Sequence, residues 1–142
     1  MGKPEKEPHK SRRRASSPGD MNEPFMGGRS RYVLAASDLA LDGAHWAALR
    51  PGVRICELYM GTDLRIALLS YIPGASVPLH VHTGDEHIFV IKGSQSDERG
   101  EYPAGSYVFN PTGSRHSVYS REGCLVLIQW RGPVALVDNN PH

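Results

Sequence analysis

The stretch GASVPLHVHTGDEHIFVIKG, Gly74–Gly93, decides the fold of this chain. His80 and His82 stand two residues apart in a run typical of a β-strand, so their side chains share one face, about 7 Å apart along the strand. Glu86 follows a short polar turn that contains a glycine. A second predicted strand, Ile88–Ile91, follows and ends at a Lys-Gly pair. The resulting hairpin carries Glu86 back beside the two histidines.

A second segment, Gly105–His116 (GSYVFNPTGSRH), adds a third histidine after another turn that contains proline and glycine. Three imidazoles and one carboxylate suit a divalent ion but discriminate poorly among zinc, iron, nickel, copper and manganese. Buried His and Glu side chains otherwise need other polar partners, because burying unpaired polar groups costs free energy. We therefore predict one divalent metal ion, Fe²⁺ or Zn²⁺ with Mn²⁺ or Ni²⁺ as alternatives. Its predicted ligands are His80, His82, Glu86 and His116.

These residues occupy the spaced positions of the two cupin motifs. The first motif, Gly-x5-His-x-His-x3-Glu-x6-Gly, is complete in Gly74–Gly93. The second, Gly-x5-Pro-x-Gly-x2-His-x3-Asn, begins at Gly105 and departs only at its last position, where Ser120 stands instead of asparagine. That position supplies no metal ligand in the motif, so the departure bears only on local turn packing. The chain therefore resembles the cupin superfamily.

A narrower resemblance surrounds these motifs. Four stretches, together with Trp46, are similar to the ChrR-like cupins: Leu49–Val53, Ala67–Ala75, Tyr102–Tyr107 and Asn110–His116. That family includes the C-terminal cupin domain of a zinc-binding anti-sigma factor, and stand-alone proteins similar to acetylacetone and dihydroxyacetophenone dioxygenases. The resemblance covers about residues 44–131. It implies an all-β fold, a single small cupin barrel (double-stranded β-helix or jelly roll) with the metal inside.

The rest of the chain also indicates an all-β fold, since no ten-residue stretch has helical periodicity and Gly/Pro turns separate short apolar runs. Alternation in Val53–Tyr59 predicts a half-buried strand. The continuously apolar run Cys124–Trp130 predicts a strand buried on both faces, and residues 131–137 are expected to close the sheet. Further segments are expected to be extended: Tyr32–Leu34 as an entry strand, Leu64–Tyr71, a surface hairpin over Ser96–Tyr102, Tyr107–Phe109 and Arg115–Ser120.

Charge and composition divide the chain into two parts. Residues 1–31 hold eight Lys/Arg and four Asp/Glu, and residues 32–142 hold eight and eleven. We expect residues 1–30 to be a disordered basic tail, because they contain too few apolar residues to offset their ordering entropy, and residues 31–142 to be the cupin domain. The run Arg12–Ser16 (RRRAS) is interpreted as part of a solvated tail rather than a kinase site or nucleic-acid contact. The mildly acidic domain predicts no nucleic-acid partner.

The remaining sequence features indicate a reducing compartment. Cys56 and Cys124 fit neither a disulfide framework nor a CxxC metal motif, and we interpret them as buried thiols. No segment approaches the roughly 18 apolar residues of a transmembrane helix, and the N-terminal segment has no apolar core typical of a secretory signal. We therefore expect a cytoplasmic protein with no membrane association.

Other candidate residues receive structural interpretations. Strand alternation aims His87 away from the predicted site, and Asp85 is interpreted as a turn residue. Arg115 is expected to face outward, beside His116. Four aromatic residues are expected to line the barrel or its core: Tyr71, Tyr107, Phe109 and Trp130. Three further histidines are expected to be structural or solvated: His9, His45 and His142.

Three functions are compatible with these observations. The first is a non-haem metal-dependent dioxygenase acting on a small diketone or hydroxyaryl ketone. The second is a ChrR-like module that senses or binds a small ligand or oxidant through a structural or regulatory zinc, without turnover. The third is a structural metalloprotein. We expect the first, because no signalling domain is attached to this chain and no nucleophile with a base partner is evident. The resemblance further implies a homodimer and a small-molecule ligand or substrate.

Overall fold

The computed structural model describes residues 30–137, and this range contains ten β-strands and no helix. The strands are β1 (Trp46–Arg50), β2 (Val53–Met60), β3 (Arg65–Tyr71), β4 (Ser76–His82), β5 (Glu86–Asp97), β6 (Gly100–Pro103), β7 (Tyr107–Asn110), β8 (Arg115–Tyr119), β9 (Cys124–Trp130) and β10 (Val134–Leu136). All pairings are antiparallel. The predicted all-β fold is therefore confirmed.

The strands form one curled sheet that closes into a half-barrel. Its order is β1-β2-β3-β9-β5-β8-β4-β10, with β6 and β7 also paired to β5. The first half of β5 pairs with β7 and β9, and its second half pairs with β6 and β8. This single strand therefore runs from one wall of the barrel to the other. The two walls bring β4, β5 and β8 around one interior.

Gly93 is the position at which β5 bends. It has a φ of 73°, which side chains rarely tolerate, and it follows a register shift against β9 between Val90 and Lys92. A Cβ placed on Gly93 would lie 2.0 Å from the carbonyl oxygen of Gly123. The prediction that the strand ends at Lys92 and Gly93 is wrong, because the glycine bends the strand without breaking its pairing.

Apolar side chains pack on both faces of the sheet. The inner cluster includes Val53, Val90 and Val126, each at most 1% exposed. A smaller outer cluster contains Trp46, Cys56 and Leu68, with Leu125 and Leu127 packed against it. Strand β2 is consequently buried on parts of both faces rather than on one. On the inner face of β9, Cys124, Val126 and Ile128 are buried and Trp130 is half-buried, whereas the outer face is half-buried throughout. The prediction of burial on both faces is therefore wrong for the outer face.

The ends of the described range differ from the sequence expectations. Residues 31–35 form no strand, although the Tyr32 hydroxyl donates a hydrogen bond to the Leu58 carbonyl. Strand β1, which the sequence did not predict, takes the edge position next to β2 instead. Strand β10 pairs with β4 and extends the sheet, as predicted for residues 131–137. The predicted tail falls almost entirely on residues 1–29, which together with residues 138–142 lie outside the described range.

Two further expectations concern the cysteines and membrane-spanning helices. Cys56 and Cys124 are both buried free thiols, as predicted. Within residues 30–137 there is no helix of the length and apolarity needed to cross a bilayer.

Candidate metal centre

Three histidines converge inside the half-barrel. His80 and His82 lie at alternate positions of β4, and His116 lies on β8 directly opposite His80 in the strand register. One ring nitrogen from each residue lies within 4.8 Å of the others, and the ring centroids are 4.7–5.0 Å apart. All three side chains are buried, at 2–3% exposure. This three-histidine group is one that could hold a metal ion.

The hydrogen bonds of the rings establish which nitrogen faces inward. Nδ1 of His80 lies 2.8 Å from the carbonyl oxygen of Pro78, which can only accept. Nδ1 of His82 lies 3.0 Å from the Ser114 hydroxyl oxygen, whose hydrogen goes to the Pro111 carbonyl. These two Nδ1 atoms are therefore the donors, which leaves a lone pair on Nε2 of each ring.

His116 is oriented by a carboxylate. Its Nδ1 lies 3.3 Å from Oδ2 of Asp97, whose other oxygen accepts hydrogen bonds from the Tyr102 hydroxyl and the Arg99 amide. Burial alone would raise the pKa of Asp97, but these hydrogen bonds and His116 outweigh it and lower the pKa. An ionised Asp97 accepts from Nδ1–H, so His116 also presents a lone pair on Nε2.

Glu86 lies at the edge of the three-histidine group. Its Oε1 is 3.1 Å from Nε2 of His82 and 3.9 Å from Nε2 of His116, and it accepts a hydrogen bond of 3.1 Å from the Asn110 amide. Asn110 faces Glu86 across the β5–β7 pairing. Burial would raise the pKa of Glu86, but the contacts with His82, His116 and Asn110 outweigh it and lower the pKa. The site therefore contains an ionised carboxylate.

The inward atoms fit a divalent cation. Within the described residues, Nε2 of His82 and Nε2 of His116 are buried without a hydrogen-bond partner. Nε2 of His82 approaches Oε1 of Glu86 to 3.1 Å, but this contact lacks the geometry of a hydrogen bond. Burying a polar atom without a partner costs free energy. A cation between these two nitrogens would give both of them a partner. Burial also lowers the pKa of His80, which keeps that imidazole neutral as a metal ligand must be.

A cavity of about 350 Å³ lies against this group. His80, Glu86 and His116 form part of its wall, and most of the remaining wall is apolar, including Ile88 and Val118. Such a volume lies at the lower end of the range typical of small-molecule sites. The site is therefore next to a space that a small ligand could enter.

Several residues lie where the sequence predicted, away from the three-histidine group. The His87 ring contacts Tyr107 and Phe109 on the other face of β5. The Asp85 carboxylate accepts hydrogen bonds from the amide and hydroxyl of Thr112, as a turn residue does. Arg115 is exposed. His45 lies 3.8 Å from Asp38, whereas His9 and His142 fall outside the described residues.

The aromatic residues divide into two pairs. Tyr71 and Trp130 line the cavity, as expected. Tyr107 and Phe109 were expected to line the barrel or its core, but they are 60% and 47% exposed on its outer surface. The expectation was wrong because β7 is an edge strand whose outward-facing positions are not covered by another element within residues 30–137.

Sequence reasoning missed the residues that make hydrogen bonds to the candidate ligands. Ser114 and Asn110 lie inside the second motif, where a polar side chain near a ligand is a usable signal. Asp97 has no such signal, because it looks like one more polar residue in a surface hairpin. Ser120, at the atypical motif position, is fully buried and donates a hydrogen bond to the Ser94 carbonyl. It thereby connects the end of β8 to β5.

Comparison with known proteins assigns the family. The profile of the ChrR Cupin-like domain matches residues 37–135, which is more than half of the 142 residues. The chain belongs to the ChrR cupin-like family. This match confirms the resemblance to the ChrR-like cupins that the motifs indicated. Among curated proteins, no sequence matches it significantly.

Solved structures show the same architecture. The structure of Rhodobacter sphaeroides SigE in complex with the anti-sigma ChrR matches with 29% identity, over 60% of this chain and 48% of that chain, at a TM-score of 0.56. A cupin-like protein of unknown function from Ralstonia eutropha is 27% identical over 62% of this chain and 60% of its own, at 0.58. The ChrR-like cupin therefore spans only about half to three-fifths of these two chains.

A third structure shows the fold alone, since its identity is low. It is an acetylacetone dioxygenase from Acinetobacter johnsonii, 19% identical over 78% of this chain and 79% of its own, with a TM-score of 0.67.

Proposed function

We propose that this ChrR-like cupin is a metal-dependent dioxygenase that acts on a small diketone or hydroxyaryl ketone. The observation that carries the proposal is that two of the three histidines, His80 and His116, lie in the wall of a cavity together with Glu86 rather than in a closed site. Catalytic metal sites keep a position open toward substrate, whereas structural sites are closed by protein ligands. A ligand in this cavity would reach the metal directly.

The metal ligands would be the three histidines and Glu86. The Nε2 lone pairs of His80, His82 and His116 point inward, and Glu86 adds a negative charge beside two of them. One Fe²⁺ or Zn²⁺ ion, or Mn²⁺ or Ni²⁺, would fit this donor set. When bound, a divalent ion polarises carbonyl oxygens, and iron additionally supplies redox chemistry with dioxygen.

The chain's own residues would prepare the substrate for that chemistry. The apolar wall, which includes Ile55, Leu69 and Ile128, would exclude water from around a bound diketone. Pro78, Ser114 and Asp97 hold the three rings by their Nδ1 atoms, so the inward lone pairs remain aimed at one point. Exclusion of water and fixed ligand orientation are both features of a site built for reaction.

The test is oxygen consumption by protein reconstituted anaerobically with Fe²⁺, using acetylacetone and hydroxyacetophenones as substrates. We expect uptake above that of free iron, and its loss in His116→Ala. His87→Ala, which changes a histidine outside the site, is the matched control and retains uptake. Uptake equal to free iron across all substrates would exclude the proposed activity for these compounds.

A second candidate function is ligand binding without turnover, and the 29% identity to the chain in the anti-sigma ChrR complex favours it. In that case the metal would be zinc, and the cavity would bind a small molecule that is not consumed. Metal analysis of protein purified without added metal separates the two. Stoichiometric zinc, together with no oxygen uptake after iron reconstitution, would support the binding module.

A further inference from the structure

Two arginines line the cavity beside the candidate metal centre, and they differ in whether a carboxylate is paired with the guanidinium. Arg65 is neutralised: its guanidinium makes two hydrogen bonds to the Glu57 carboxylate and stacks over the Trp130 ring at 4.9 Å. Arg50, at the end of β1, is half-buried and has no ion pair with any residue in the range 30–137. Arg50 is therefore the cavity arginine whose guanidinium has no carboxylate paired with it among residues 30–137.

The exposure of the lining residues shows which end of the cavity opens to solvent. Leu49, Val134 and Leu136 are 42–59% exposed, so they form its mouth, whereas His80 and His116 are 3% exposed and form its floor. Arg50 is adjacent to Leu49 and thus lies toward the mouth. It also acts on the interior: burial raises the pKa of the cavity residue Tyr71, and the positive charge of Arg50 partly opposes that rise.

A partly desolvated cation without a counterion is unfavourable unless a ligand supplies one. We propose that Arg50 binds the carboxylate of the small molecule that enters this cavity, while the opposite end of that molecule reaches the metal centre. The substrate or ligand class is accordingly an acidic diketone or keto acid rather than a neutral ketone. This inference rests on the proposed function for the identity of the metal-binding end.

The chemistry of the guanidinium suits a carboxylate. Its planar fork donates two parallel hydrogen bonds to a carboxylate. A cavity of about 350 Å³ has space for a short chain with a diketone at one end and a carboxylate at the other. Arg65 cannot take this role, because Glu57 already occupies its fork.

A matched pair of probes tests the proposal. Succinylacetone is a β-diketone that ends in a carboxylate, and heptane-2,4-dione replaces that carboxylate with a methyl group. Binding is measured by calorimetry on the full chain loaded with zinc, in the absence of turnover. We expect the wild-type protein to bind succinylacetone about ten- to a hundred-fold more tightly than heptane-2,4-dione, as charge-assisted hydrogen bonds do.

Three variants assign the preference to Arg50. Arg50→Gln abolishes it, and Arg50→Lys, which keeps the charge without the fork, retains part of it. Arg54→Gln removes the same charge from the next strand, where the side chain is exposed and contacts the Leu41 carbonyl and Trp46; it retains the full preference. Thermal unfolding of each variant shows whether it is folded.

The outcomes separate this inference from the oxygenase proposal. Equal affinity for the two probes, binding of neither, or an undiminished preference in Arg50→Gln would overturn the carboxylate site. So would an equal loss in Arg54→Gln, which would indicate a general charge effect. An absence of oxygen uptake with a preference that depends on Arg50 would refute only the oxygenase activity.

Discussion

The carboxylate of Asp97 lies 3.3 Å from Nδ1 of His116, although 19 residues separate them in the sequence. Asp97 comes from the end of β5 and His116 from β8, so the contact joins the polar hairpin to the candidate metal centre. The same carboxylate is held by the Tyr102 hydroxyl at 2.7 Å. This arrangement fixes the orientation of the His116 ring.

Replacing Asp97 is expected to weaken metal binding. Asp97→Asn removes the negative acceptor behind His116 and should lower metal affinity about 10- to 100-fold. A chelator competition titration measures the change. Asp63→Asn is the control, since the Asp63 side chain is 82% exposed and pairs only with the surface residue Arg131 among residues 30–137. Equal affinities of the wild-type protein and Asp97→Asn would contradict the positioning role.

The four predicted ligands should couple metal binding to stability. At free metal 100-fold above its dissociation constant, binding stabilises the native state by about 2.7 kcal/mol. An alanine substitution at His80, His82, Glu86 or His116 should remove most of that stabilisation. The stabilisation is measured as the difference in the free energy of unfolding between protein with metal and protein with chelator. His87→Ala should keep it. Wild-type metal content in all four alanine variants would refute the site assignment.

Two glycines of the cupin motifs should differ in their sensitivity to alanine. Gly93 and Gly113 have φ values of 73° and 86°. A Cβ added at Gly93 would lie 2.0 Å from backbone, whereas one added at Gly113 would enter open space. Gly113→Ala should cost roughly 1–2 kcal/mol from the positive φ alone. Gly93→Ala should cost more than about 4 kcal/mol or prevent folding. Denaturant titration compares them, and similar midpoints would contradict the close approach.

Alkaline pH should destabilise the fold through its buried thiols. Burial raises the pKa of both Cys56 and Cys124 from the ordinary value of 9.0. The unfolded chain then releases these protons first, so their contribution to stability is complete below pH 9.0 and is lost as the pH rises above it. Denaturant midpoints at pH 7 and pH 10 check this. The double Cys→Ala variant should lose less stability between pH 7 and pH 10 than the wild type does. An equal loss would contradict the assignment of this pH effect to the two thiols.

We propose that the protein forms a homodimer through the outer face of β5 and β7. Phe89, Ile91, Tyr107 and Phe109 are 43–60% exposed and contiguous there, and exposed apolar patches commonly mark interfaces. Sedimentation should show a dimer at micromolar concentration, and Phe89→Glu should convert it to a monomer. Tyr119→Glu alters an aromatic residue of similar exposure on β8 and should remain dimeric. A wild-type monomer would refute the dimer.

Local periodicity is what allowed the sequence alone to predict which residues gather at the candidate metal centre. His80 and His82 share a face because strand side chains alternate, and the Gly/Pro turns before Glu86 and His116 return the chain to the same place. The same alternation correctly placed His87 outside. These features depend on neighbours within a few residues, so they are present in the sequence before any strand pairs with another.

Tertiary structure alone decided which distant residues surround the candidate metal centre. Asp97 reaches His116 only because β5 continues through Gly93 into the second wall. Tyr107 and Phe109 are exposed because β7 lies at an edge, and Arg50 lacks, within residues 30–137, the counterion that Arg65 finds in Glu57. Each of these outcomes depends on pairing between strands, which residue periodicity along a single strand does not specify.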